Sequence, residues 1–115
     1  MEKILTIDGR QVKFKSTGAF LLKYKAQFKR DALKDMLKLL EVYDEETKQV
    51  KDMDVLDLEL FYNITWSLAK CADPTLPPAI DWLDTFSEFP LMDVIPEIID
   101  LVLSCISSTV DSKKK

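Results

Sequence analysis

Histidine is missing from the 115 residues, and glycine and cysteine are reduced to two each. Without histidine there is no side chain that titrates near neutrality at its ordinary pKa, which removes the usual general base and the commonest metal ligand. Two glycines leave no room for a glycine-rich phosphate loop. Cys71 and Cys105 have no second cysteine at ligand spacing, so they read as free, mostly buried thiols rather than a metal site or a redox pair. No apolar run reaches 18 residues, and Met1 is followed by an alternating Lys/Ile/Thr stretch in place of a basic segment with an apolar core. A soluble, intracellular protein without cofactor or membrane span is the expectation.

What is present is charge, unevenly placed. Residues 1 to 51 hold twelve of the sixteen Lys and Arg and eight of the twenty acids, so this part is about +4 and the remainder about −8. Such asymmetry sets association and orientation, whereas catalysis needs a local constellation of activated groups. A pI near 4.8 argues against a dedicated nucleic-acid binder. At 47% hydrophobic content the length suits one domain, able to bury roughly 65% of its unfolded surface without staples.

The patterning predicts a mainly α fold, a small domain of about five helices behind an N-terminal β-hairpin. Lys3 to Ile7 and Gln11 to Lys15 alternate on either side of Asp8-Gly9, a dipeptide suited to a type I′ turn, so residues 3–15 form the hairpin. Ser16 or Thr17 caps a first helix over 17–28, carrying Phe20, Leu21, Tyr24 and Phe28. Leu33, Met36, Leu37 and Leu40 are out of phase with that set, which places a break near 29–31 and a second helix over 31–43 capped by Asp31. Residues 44–54 read as the longest exposed connection. A central helix over 55–72 is apolar except for a narrow stripe of Glu59, Asn63, Ser67 and Lys70. Asp73-Pro74 and Pro77-Pro78 end it. A short helix over 79–89 and a last one over 93–107 follow, the latter tolerating Pro96 only in its first turn. The helical body is 17–107, and the polar tail 108–115 is frayed and flexible.

Candidate chemistry is thin. Asp52, Asp54, Asp57 and Glu59 imitate a calcium loop but lack its glycine, and acids at a helix start explain them. Asp81 and Asp84 fit the outer side of an amphipathic helix, and Asn63-Ile64-Thr65 falls inside a buried one. Lys23, Arg30, Lys34 and Lys38 form a basic flank, either solvated or facing an acidic partner. Catalytic, cofactor and metal residues are therefore none. Trp82, Phe86 and Phe89, with Ile95, Ile98, Ile99 and Val102, exceed what one buried stripe requires, so part of this set is expected to line an apolar groove for a partner.

Three stretches carry a resemblance: Phe14 to Phe28 (FKSTGAFLLKYKAQF), Leu58 to Lys70 (LELFYNITWSLAK), and Trp82 to Pro90 (WLDTFSEFP) with Pro96 to Asp100 (PEIID). With Ala72-Asp73-Pro74 followed by Trp82-Leu83-Asp84, they resemble the tail assembly chaperones of long-tailed bacteriophages and prophages of Gram-positive bacteria, over almost the whole chain. The resemblance implies a non-enzymatic factor that coats and solubilises the tape measure protein, promotes polymerisation of the tail tube, and is absent from the finished virion. Its implied partners are the tape measure protein, the major tail protein and a frameshifted longer form of the chain itself, and Lys113-Lys114-Lys115 is compatible with a slippery adenine run. The charge asymmetry and the open hairpin edge point to a homo-oligomer. The competing class is a small acidic phage or prophage regulator that binds a host protein.

Overall fold

The computed structural model describes the backbone of residues 2–114 and the side chains of residues 2–107. It is a mainly α domain with five helices and an N-terminal antiparallel hairpin. Strands β1 (Glu2–Ile7) and β2 (Arg10–Lys15) pair in the register Lys3 with Phe14, Leu5 with Val12 and Ile7 with Arg10. Asp8 and Gly9 both take positive φ, 53° and 74°, as the type I′ turn demands. Because strand side chains alternate, one face carries Ile7, Val12 and Phe14 into the core, while Ile4 on the other face is exposed. The inward face also carries Lys3 and Arg10 at its two ends, where their heads reach the rim.

Helix α1 (Phe20–Phe28) starts three residues later than the sequence suggests. The hydroxyl of Thr17 accepts from Ala19 N–H at 3.3 Å, and its carbonyl accepts from Phe20 N–H at 3.1 Å, so a turn through Gly18 precedes the helix proper. The break falls where expected, at Lys29 with φ 59°, and Asp31 caps α2 (Ala32–Glu41) by accepting from Leu33 N–H at 3.0 Å and Lys34 N–H at 3.3 Å. The buried face of α2 differs from its leucine pattern. Ala32, Asp35, Met36 and Leu39 turn inward, and Leu37 stays exposed.

The connection after α2 is more ordered than a plain loop. Tyr43–Asp44 (β3) and Gln49–Val50 (β4) pair as a second, minimal hairpin, whose turn is held by Asp44 Oδ1 accepting from Glu46 N–H at 2.9 Å. A 3-10 turn over Met53–Val55, capped by Asp52, leads to α3 (Leu58–Ala72), which Asp57 caps through Leu60 N–H at 3.1 Å. The acids of this segment thus sit at helix starts. Helix α3 is central: it packs on β2, α1, α2 and α4 and buries Leu60, Phe61, Ile64, Trp66, Leu68 and Ala69.

Helix α4 covers only Ala79–Asp84, five residues short of the expected end. Thr85 turns its hydroxyl onto the carbonyl of Trp82 at 2.6 Å, and Ser87 N–H leaves the helix to donate to Asp8 Oδ2 at 2.8 Å. A tertiary bond to the hairpin turn therefore wins over continued helix. Helix α5 (Leu91–Lys114) begins at Leu91 instead of Asp93 because the carbonyl of Pro90 accepts from Asp93 and Val94. Pro96 consequently lies in the second turn, and the helix continues to Lys114 past the expected stop near 107. The side chains of the expected tail, 108–115, lie outside the described residues.

The expectation that Ile95, Ile99 and Val102, spread beside Ile98 and Leu101, cannot all face one core is overturned, since each of these is 2% exposed or less. At 100° per residue, Leu101, Val94, Ile98, Val102, Ile95 and Ile99 fall in that order across an arc of about 160°. Such an arc is covered because α5 meets α2, β1 and β4 together.

Candidate functional site

The aromatic residues expected to line a groove are brought together, but as a closed cluster. Trp82 and Phe86 meet edge to face with centroids 5.2 Å apart, Phe89 lies 5.5 Å from Phe86, and Tyr62 lies 5.7 Å from Phe89. Arg10 lies 4.1 Å over Phe86 and donates to Thr85 Oγ1 at 2.8 Å, sealing the cluster from the hairpin side. Trp82 and Phe86 are buried, Phe89 is half-buried, and Ile95, Ile98, Ile99 and Val102 belong to the same core. Trp82 also borders a pocket of about 310 Å³ shared with Val12, Ala69, Ala72 and Leu76.

A second polar constellation lies between α1 and α2. Arg30 grips Asp35 with two parallel bonds, Nε to Oδ2 at 2.7 Å and Nη2 to Oδ1 at 2.9 Å, and Tyr24 donates its hydroxyl to Oδ2 at 2.8 Å. Burial pushes Asp35 up, but the bonds from Arg30 and Tyr24 outweigh it and hold the carboxyl below the usual carboxylate range. Burial and the neighbouring carboxylate raise the Tyr24 phenol well above its ordinary value. Asp35 is ionised and accepts three hydrogen bonds, two on Oδ2 and one on Oδ1, so the group acts as a clamp between α1 and α2. Burial likewise raises the Cys105 thiol, with Cys71 adding to the effect, which works against thiolate chemistry there. Among the described residues no group of three or more His, Cys, Asp or Glu side chains could hold a metal ion, and no helix is long and apolar enough to cross a membrane.

Among surface hollows of similar volume, a trough of about 320 Å³ lies between α1 and α3. Lys23, Ala26 and Gln27 form one wall, and Trp66, Ser67, Lys70, Cys71 and Pro74 form the floor and the other wall. The floor is fixed. Trp66 donates its indole N–H to the carbonyl of Pro77 at 2.9 Å, and Phe28 packs edge-on against its ring at 5.8 Å. Lys70 lies 5.8 Å over the same ring and donates to the carbonyl of Leu76 at 2.7 Å. Ser67 spends its proton on the carbonyl of Asn63. The lining contains two lysines and no acid.

Sequence reasoning did not assemble this trough, although two of its signals were visible. Lys23 belongs to the basic flank, and Ser67 and Lys70 belong to the polar stripe of α3, which marks the edge of an otherwise apolar helix that reaches the surface. What joins them is the packing of α1 on α3. Comparison of the chain with family models, with curated proteins and with solved structures gave no match.

Proposed function

We propose that this chain is a tail assembly chaperone of a long-tailed bacteriophage or prophage, which binds and solubilises the tape measure protein, promotes tail tube assembly, and leaves before the virion is complete. One observation carries the reading. Six of the eight residues lining the trough, Lys23, Ala26, Gln27, Trp66, Ser67 and Lys70, fall within the two stretches, 14–28 and 58–70, on which the resemblance to such chaperones rests. A chaperone for long apolar helices needs an apolar receiving surface on a chain whose remaining exterior keeps the complex in solution. The trough and the charged surface around it meet both needs. In this reading copies of the chain associate with one another, and the protein is not an enzyme. The test is co-expression with a tape measure fragment of the same phage. The fragment stays in the soluble fraction and is retained with the tagged chain if the reading is right, and is insoluble or unretained if it is wrong.

The acidic-regulator reading has its own support. Asp81, Asp84, Glu88 and Asp93 are exposed and make no ion pair among the described residues, an arrangement suited to a basic target. Capture of one stoichiometric host protein, with no retention of the tape measure fragment, would favour it.

A further inference from the structure

We infer that the α1/α3 trough receives one amphipathic helix whose apolar face is flanked by acidic residues. The inference rests on the chaperone reading, in which that helix belongs to the tape measure protein, and it adds the place and the chemistry of the contact. Shape argues for a helix. The walls come from i, i+3 and i+4 on α1 (Lys23, Ala26, Gln27) and from i, i+1, i+4 and i+5 on α3 (Trp66, Ser67, Lys70, Cys71), so the trough follows the ridges of both helices. A third helix laid along it would seat successive anchors against both. An extended strand would gain nothing there, because both walls are helices whose backbone groups are already paired and no sheet edge borders the trough.

Size and composition set the anchors. A volume near 320 Å³ lies at the lower end of the roughly 300–1,000 Å³ that holds a ligand, which suits one or two aliphatic side chains a helical turn apart. Trp66, itself only 5% exposed, shows an apolar edge at the floor that is already locked by its bond to Pro77 and its contact with Phe28, so little ordering is left to be done on binding. Ala26 is exposed on the opposite wall, where its small side chain keeps the trough open.

Charge identifies the flanks. Residues 16–30 include Lys23, Lys25, Lys29 and Arg30 and no acid, although the chain as a whole carries a net charge of −4. Arg30 is occupied by Asp35, but Lys23, Lys25 and Lys29 make no ion pair among the described residues. Lys70 stands on the other side, in the last turn of α3, where it offsets the partial negative charge of that helix end. Asp73, beside Pro74 at the end of α3, partly offsets Lys70, so the positive field over the trough comes chiefly from Lys23 on α1, and it favours glutamate or aspartate beside the apolar anchors.

The test uses the full chain and two dye-labelled synthetic peptides of about 18 residues, long enough to lie along the trough as five turns of helix. They share one leucine/alanine face and carry either glutamate or lysine on its flanks. Anisotropy titration should show the glutamate peptide binding at least about tenfold more tightly than the lysine peptide, with affinity falling as salt is raised. Lys23→Glu and Ala26→Glu, both at exposed positions, should each weaken binding about tenfold without lowering the melting temperature. Lys25→Glu makes the same charge change 200° round the helix, and should weaken it less than about threefold. Equal losses from Lys23→Glu and Lys25→Glu, equal binding of the two peptides, or binding of neither would overturn the trough as the docking site. A tape measure fragment retained equally by all variants would also overturn it while leaving the chaperone reading intact. Failure to retain that fragment, with the glutamate peptide still held and still sensitive to Ala26→Glu, would support the trough and remove the chaperone reading alone.

Discussion

Asp35 is the residue whose position most changes the reading of its helix. An acid between Lys34 and Met36 looks like solvent-facing charge, and the leucines 33, 37 and 40 suggest a different inner face. Arg30 and Tyr24 draw Asp35 inward, and α2 rotates so that Leu37, not Asp35, meets water. Tyr24 was legible in the row Phe20, Tyr24, Phe28, but its partner was not, because an eleven-residue separation across a helix break leaves no periodic trace. The carboxylate also fixes a pH dependence. Its folded pKa is lowered, so its contribution is complete above the unfolded value of about 4 and is lost as pH falls through the folded value. Asp35→Asn should lower stability at pH 7 by about 1–3 kcal/mol, a figure kept modest because the Arg30 side chain is 44% exposed. Urea melts of both proteins between pH 7 and pH 2 should show the gap narrowing below about pH 4. A gap of constant size would mean the clamp contributes through shape alone.

At the scale of elements, the signals that held were those with a local cause. Asp8-Gly9 set the hairpin turn, Asp31 and Asp57 set helix starts, and the prolines at 74, 77 and 78 closed α3. Gly9 has nothing within 4 Å of an added Cβ, so Gly9→Ala meets no clash, and its cost is that of φ 74° alone, roughly 1–2 kcal/mol in a thermal or urea melt. The signals that failed had distant causes. The end of α4 is decided by Asp8, 79 residues away from Ser87, and the coverage of α5 by three neighbours that its own sequence cannot display. Burial of Ile99 at 1% predicts that Ile99→Asp unfolds the protein, at a cost of about 4 kcal/mol or more. Leu22→Asp, at a side chain 76% exposed, should leave the melting curve within about 0.5 kcal/mol of the parent. Circular dichroism melts of the pair distinguish a core role for α5 from a partner-facing one.

For the whole molecule, the charge asymmetry visible in the sequence is partly consumed inside the fold. Lys3 lies 2.6 Å from Glu97 and 3.0 Å from Asp100, tying the first strand to the last helix. Burial lowers the Lys3 pKa, but the two carboxylates outweigh it and hold the ammonium above the ordinary lysine value, so this tie persists across the neutral range. Lys23, Lys25 and Lys29 along α1 and its end, and Asp81, Asp84, Glu88 and Asp93 from α4 to the start of α5, are among the charges that make no ion pair in the described residues, with Ile80 and Met92 exposed beside those acids. Opposite patches on one chain favour a head-to-tail contact between copies, because the same pairing can be made at each successive subunit. The hairpin adds a second route, since among the described residues its two strands pair with no third strand. Light scattering at low salt should therefore show a mass that rises with protein concentration and falls back when salt of about 0.5 M shortens the Debye length to a few ångströms. The double variant Asp81→Lys, Asp84→Lys should remain monomeric at the same concentrations, while its melting temperature stays that of the parent, because both acids are exposed. Association that persists in high salt and in the double variant would move the contact to the hairpin edge, and a parent that stays monomeric at low salt and high concentration would remove self-association altogether.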